Sequence, residues 1–135
     1  MNLKIIIAGG RDYTLQTHHY QFLDQLLPLV AEVVSGACPT GVDHAGEAWA
    51  RSHNITVKTF PADWKVLGRA AGPIRNQAMA VYADAVVLFP GGAGTESMAK
   101  IAGLKGLRIW DLRQGIEKHS LNGDDSRHVT NWKPE

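Results

Sequence analysis

Ala85-Val86-Val87-Leu88-Phe89 is an unbroken apolar run of strand length that stops dead at Pro90-Gly91-Gly92-Ala93-Gly94-Thr95. A strand with one face in water alternates apolar and polar residues. A run without alternation therefore belongs inside a parallel sheet that is covered on both faces. Covering both faces takes helices, and the rest of the chain supplies them between further strand-like runs.

Leu3 to Ala8 is the first such run, carrying only Lys4 as a charge and halted by Gly9-Gly10. From Leu15 the period changes: Leu15, His18 or His19, Phe22, Leu23, Leu26 and Val30 fall near one helical face, with Thr14 placed as N-cap and Pro28 ending or kinking the helix. Glu32 to Ser35 reads as the second strand, and Val42, Ala45, Gly46, Trp49, Ala50 and His53 as the buried stripe of a second helix. Ile55 to Phe60 makes a third strand. Pro61 to Gly72 reads as a long loop with one helical turn, a length that hints at function. Pro73 is placed as the first residue of the next helix, with Ile74, Ala78, Val81 and Tyr82 as its inward stripe. A helix over 96–104 and a last strand over 107–112 complete the order. The domain spans residues 1–112, and 113–135 form a polar tail to which no fixed structure is assigned.

Strands alternating with helices imply right-handed βαβ units and a mostly parallel sheet with helices on both faces. Five strands are expected in the order 3-2-1-4-5. The loops after strands one, two and four then share one edge, and those loops hold most of the glycine. In open α/β sheets the ligand crevice lies at that edge, where strand order reverses.

Composition narrows the partners. With 14 Lys plus Arg against 13 Asp plus Glu, the formal charge is +1, so no global field draws the chain to nucleic acid or an anionic membrane. No run reaches membrane-spanning length. Cys38 is the lone cysteine, which points to a reducing, cytoplasmic setting, and neither cysteine nor histidine spacing suggests a metal site. No cofactor is called for.

The Pro90 to Thr95 turn carries chemistry best. Glycines at Gly91, Gly92 and Gly94 let backbone N–H groups approach an anion, and the following helix turns its positive end toward it, with the Thr95 hydroxyl as a further donor. A tight turn without a ligand is the alternative. The turn lacks the Gly-Lys-Ser/Thr of a P-loop, and the first loop lacks Gly-x-Gly-x-x-Gly. Arg75, in the first turn after Pro73, is a cation that a bound phosphate would stabilise; a solvated surface arginine is the other reading. Asp43 and Glu47, four apart on one ridge, could face a ribose or act as acid and base. Against that, Thr40 to Asp43 resembles a capping box and Glu47 can pair with Arg51. Arg11 and Asp12 sit at the crevice mouth or brace the loop as an ion pair. Trp64 stacks on a base or, the preferred reading, plugs the core.

Ala8-Gly9-Gly10-Arg11-Asp12, Ser35-Gly36 with Gly41-Val42-Asp43, Pro61 to Trp64, Ala71 to Asn76 with Met79, and Phe89 to Thr95 together resemble the YspA, or YpsA-related, branch of the SLOG superfamily. The likeness covers about Lys4 to Leu112. It implies a Rossmann-like domain binding or sensing a nucleotide or an NAD/ADP-ribose-like ligand. The ligand-facing positions are Gly9, Gly10, Arg11, Asp12, Ser35, Gly36, Arg75, Asn76, Pro90, Gly91, Gly92, Gly94 and Thr95, and a homo-oligomer is expected by analogy. Distantly similar Lonely Guy phosphoribohydrolases use an arginine and a glutamate to cleave an N-glycosidic bond. Arg75 and Met79 match their Arg-Lys-x-x-Met segment with Asn76 in place of lysine, but Met98 stands at the glutamate position. An N-glycosidic hydrolase acting on nucleoside monophosphates or NAD-like substrates would therefore draw on Arg75 with Glu47 or Asp43. The single-stranded DNA binding of the related protein DprA is disfavoured by the near-neutral charge.

Overall fold

The computed structural model describes residues 2–114. The polar tail expected from residue 113 lies, from residue 115 on, outside the described residues. Five parallel strands, β1 (Leu3–Ala8), β2 (Val30–Ser35), β3 (Thr56–Thr59), β4 (Ala85–Leu88) and β5 (Arg108–Asp111), form one sheet in the order β3-β2-β1-β4-β5. The order is the one the alternation of runs implies. Reversal falls between β1 and β4, which pair with Ile5 opposite Ala85 and Ala8 opposite Leu88.

Consecutive residues of β1 enter opposite layers, which is why its isoleucines come in an unbroken series. Ile5 and Ile7 pack with Phe22, Leu23, Trp49 and Trp110. Ile6 and Ala8 pack with Met79, Met98 and Ala102. Each fully buried isoleucine contributes about 1.5–3 kcal/mol over an exposed one. Helices α1 (Thr17–Leu26) and α2 (Gly41–Ser52) line the first layer. Helices α4 (Ala71–Tyr82) and α5 (Ala93–Lys105) line the second and pack against each other.

Three local expectations are corrected. Helix α1 starts after Gln16 rather than Thr14, because the Gln16 N–H donates to Nδ1 of His19 at 2.8 Å, so the cap comes from a histidine inside the first turn. Helix α4 starts at Ala71, not Pro73, and is led in by the short helix α3 (Trp64–Leu67) and a 3-10 turn over Gly68–Ala70. Arg75 therefore lies beyond the first turn, and the macrodipole argument for it lapses. The inward face of α4 is Ala71, Gly72, Asn76, Met79 and Ala80, while Ile74 (49% exposed) and Val81 (71%) face outward. Trp64 does not plug the core. It is 55% exposed and covers Gly72, where a β-carbon would stand 3.2 Å from the indole.

Candidate functional site

The loops after β1, β2 and β4 are laced together before any ligand is considered. Gly10 donates its N–H to Pro90 O at 2.9 Å and accepts from the Val42 N–H at 3.2 Å. The Thr40 hydroxyl donates to Arg11 O at 2.9 Å, so it does not close a capping box. Gly41 has φ +68°, and a β-carbon there would lie 2.5 Å from Arg11 O, so this contact demands glycine. The result is a crevice of about 640 Å³ at the β1/β4 reversal, floored by Ile7, Ala8, Met79 and Met98. Its volume lies within the ~300–1,000 Å³ range of small-molecule sites.

Gly9, Gly10, Arg11, Asp12, Gly36, Asp43, Arg75, Asn76, Pro90, Gly91, Gly92, Gly94 and Thr95 all border this crevice. Ser35 and Glu47 do not. The Ser35 hydroxyl donates to Glu47 Oε2 at 2.6 Å and accepts from the Ala37 N–H at 3.0 Å, and Glu47 also pairs with Arg51 at 3.5 Å. Both residues brace the root of the second loop from behind. Tyr13, Cys38, Met79 and Met98, none of them among the expected ligand-facing positions, also border the crevice. The methionines were legible only through the Lonely Guy likeness, which puts Met79 in the arginine segment and Met98 at the glutamate position; their apolar character reads equally as core.

The Arg75 guanidinium is held rather than free. Nη1 donates to Gly36 O at 2.6 Å and Nε to Asn76 Oδ1 at 2.9 Å. Asn76, 3% exposed, donates in turn to Gly94 O and to Ser97 Oγ, each at 3.3 Å. Arg75 is thus tied through one buried amide to the start of α5. Asp43 faces the same space. Its Oδ2 accepts the Cys38 N–H at 3.1 Å, and this oxygen and Arg75 Nη1 would lie 3.0 and 2.6 Å from a β-carbon on Gly36. Burial raises the Asp43 pKa, against the lowering pull of the Cys38 N–H and Arg75, and Glu47 raises it further. No ion pair joins Arg11 to Asp12, and both are exposed. Among the described residues, no group of three or more His, Cys, Asp or Glu is placed to share a metal ion, and no helix is long and apolar enough to cross a membrane.

The glycines of the turn divide into two kinds. At Gly91 a β-carbon would meet Thr95 Oγ1 at 2.2 Å and Gly10 N at 2.7 Å. At Gly92, the residue capping α5, and at Gly94 it would meet nothing within 4 Å. Packing requires the first and leaves the other two unexplained.

A parallel sheet with crossover helices on both faces, and glycine-rich loops around a crevice at its reversal point, defines a Rossmann-like α/β domain. The family model YAcAr, the YspA, cpYpsA-related SLOG family, matches residues 3–66, and over that stretch the chain is similar to this SLOG branch. The matched stretch carries β1, β2 and their loops; Arg75 and the Gly91 turn lie beyond it. Neither the curated proteins nor the solved structures contain a match.

Proposed function

We propose that the protein binds or senses a nucleotide or NAD/ADP-ribose-like small molecule. Its phosphate rests on the N–H groups of the turn at Gly91, Gly92, Gly94 and Thr95, with Arg75 as counter-charge. Arg11, Asp12 and Asp43 lie toward the sugar. The observation that carries the reading is Gly92 and Gly94: both border the crevice, and nothing in the protein's own packing asks them to lack a side chain. Backbone N–H groups that must approach an anion closely do ask it. The likeness of residues 3–66 to the SLOG branch agrees with a nucleotide-derived ligand. Thermal shift with AMP, NAD and ADP-ribose tests the proposal, since a ligand at ~100 times its dissociation constant adds about 2.7 kcal/mol. No shift with any of them, or an equal shift in Arg75→Met, refutes it.

A second reading is N-glycosidic hydrolysis of a nucleoside monophosphate or an NAD-like substrate. Asp43 favours it, being a carboxyl with a raised pKa inside the crevice, whereas Glu47 is committed to Ser35 and Arg51. Base release followed by chromatography separates the two readings: turnover lost in Asp43→Asn supports the enzyme, and binding without product supports the sensor.

The homo-oligomer belongs on the outward stripe of α4, where Ile74, Ala78 and Val81 are exposed without a charge among them. Two copies meeting there bury no ion. Light scattering should report a dimer that Val81→Glu dissociates; a monomeric wild type refutes it. A cytoplasmic setting completes the proposal, and the balanced charge argues for a small molecule over nucleic acid as the partner.

A further inference from the structure

Tyr13 borders the crevice and is fixed at both ends. Its N–H donates to Gly10 O at 3.3 Å, and its hydroxyl lies 3.3 Å from Nε2 of His19. The direction of this second bond is set by the cap of α1. The Gln16 N–H donates to Nδ1 of His19 at 2.8 Å, so Nδ1 carries a lone pair and the single proton of the neutral ring sits on Nε2. Nε2–H therefore donates, and the Tyr13 oxygen accepts. Among the described residues the hydroxyl has no other hydrogen-bond partner, so its own proton remains to be given. A hydroxyl that accepts one hydrogen bond is polarised into a better donor of the next.

His19 has no place for a second proton. The ring is 6% exposed and meets three others: His18 of its own helix at 4.0 Å between centroids, Tyr13 of the loop after β1 at 5.7 Å, and Phe89 at the end of β4, edge-on at 5.4 Å. Of these, His18 and Tyr13 titrate, and among the described residues no carboxylate stands within ion-pair reach of the His19 ring. A proton arriving at Nδ1 would face the Gln16 N–H, donor against donor. Gln16 is not free to retreat, because its carbonyl accepts the His19 and Tyr20 N–H groups at 2.9 and 3.2 Å. The ring is what gives way, and with it go the bond to Tyr13 and the edge contact with Phe89, which leads into Pro90 and Gly91. Burial, with His18, holds the His19 pKa below 6.5, in keeping with a ring that has no acceptor for that proton.

We infer that the Tyr13 hydroxyl donates to an oxygen of the bound ligand and that His19 is the positioning residue that holds it there, so that a proton taken up by His19 weakens binding. The inference rests on the crevice reading proposed above and adds its regulation. Isothermal titration of AMP, NAD and ADP-ribose into the full chain, at about pH 8 and about pH 5, on either side of the ordinary histidine value of ~6.5, tests it with Tyr13→Phe and His19→Asn. Asparagine keeps an acceptor in place of Nδ1, puts nothing in place of Nε2 and does not titrate. Dividing the wild-type affinity by a variant's at each pH cancels the ligand's own protonation and that of groups the two proteins share. At the higher pH Tyr13→Phe should bind about three- to tenfold more weakly than the wild type, the net contribution of one hydrogen bond, and His19→Asn should lose affinity too. At the lower pH both ratios should shrink toward unity. A Tyr13→Phe ratio that is near unity at the higher pH, or the same at both, overturns this inference alone, as does a His19→Asn protein that binds like the wild type at the higher pH. If His19→Asn does not fold, the Tyr13→Phe ratios decide. Failure of all three ligands to bind the wild type at the higher pH overturns the crevice reading and this one with it.

Discussion

Exchanging single glycines for alanine separates the packing of the turn from its use. In Gly91→Ala the new methyl would lie 2.2 Å from Thr95 Oγ1, 2.7 Å from Gly10 N and 2.9 Å from Thr95 Cβ. Thr95 is 6% exposed and has little room to turn, and Gly10 is bonded to Pro90 at 2.9 Å, so relief means prying two loops apart. Overpacking of this kind costs about 1–3 kcal/mol. For a domain of this size each kcal/mol moves Tm by about 3–6 °C, so calorimetry should record a fall of about 3 to 18 °C. Gly94→Ala does the opposite. Its methyl meets nothing within 4 Å, and the second residue of α5 gains about 0.5–1 kcal/mol from alanine's helix preference. Its Tm should rise by a few degrees while the stabilisation by the best nucleotide of the panel disappears. A Gly94→Ala protein that keeps its full ligand shift shows that no anion approaches this backbone. A Gly91→Ala protein that melts with the wild type shows that the packing account of the turn is wrong.

Arg75→Met should weaken a phosphate-bearing ligand by about 1.5–3 kcal/mol and flatten the salt dependence of binding, with little change toward the matching nucleoside; titration at two ionic strengths reads both. Glu47→Ala leaves the hydroxyl of Ser35, 1% exposed, without its acceptor, so stability should drop by about 1–3 kcal/mol with ligand affinity intact; a loss of affinity instead would return Glu47 to the site. Two buried groups set opposite pH trends. Burial, with the neighbouring His18, lowers the His19 pKa from 6.5, so as pH falls below 6.5 the unfolded chain takes up the proton first and stability is lost until the folded pKa is passed. Burial raises the Asp43 pKa above 3.8, so the folded state takes up that proton first and stability is gained as pH falls from the folded pKa toward 3.8. Denaturant melts from pH 7 to 3.5 should therefore show Asp43→Asn, which keeps an acceptor for the Cys38 N–H, losing the acid-side gain alone. An unchanged profile refutes the assignment.

The sheet was legible because its signal is redundant. β1, apart from Lys4, and β4 are apolar on both faces, and each runs into a glycine-rich turn, so composition, length and punctuation agree. Helix α4 was misread for the converse reason. Ile74, Ala78 and Val81 have a faultless helical period, yet that stripe faces outward, while the core takes Ala71, Gly72, Met79, Ala80 and the polar Asn76. Periodicity reports that a helix has two faces. Which face turns inward was decided here by the close approach of small residues to Trp64 and α5, which hydropathy ranks low.

The same limit governs the site. Spacing placed Asp43 and Glu47 on one ridge of α2, and both were equal candidates for chemistry. One helical turn, about 5.4 Å of rise, separates their fates: Asp43 reaches the crevice, and Glu47 lies at the level of Ser35, behind it. No property of either carboxylate distinguishes them; the end of β2 does, because the chain leaves the sheet there and the next residue along the ridge meets its last side chain. Asn76 carries the argument further. In sequence it is a polar neighbour of Arg75, fit to touch a ligand. In the fold it is buried and bonded to Arg75, Gly94 and Ser97, so its part is to hold the arginine at the height of the turn. Asn76→Asp tests that part: the carboxylate loses both donors and neutralises Arg75, so affinity for the phosphate ligand should fall at least as far as in Arg75→Met. A variant that binds as the wild type does would mean the buried amide positions nothing.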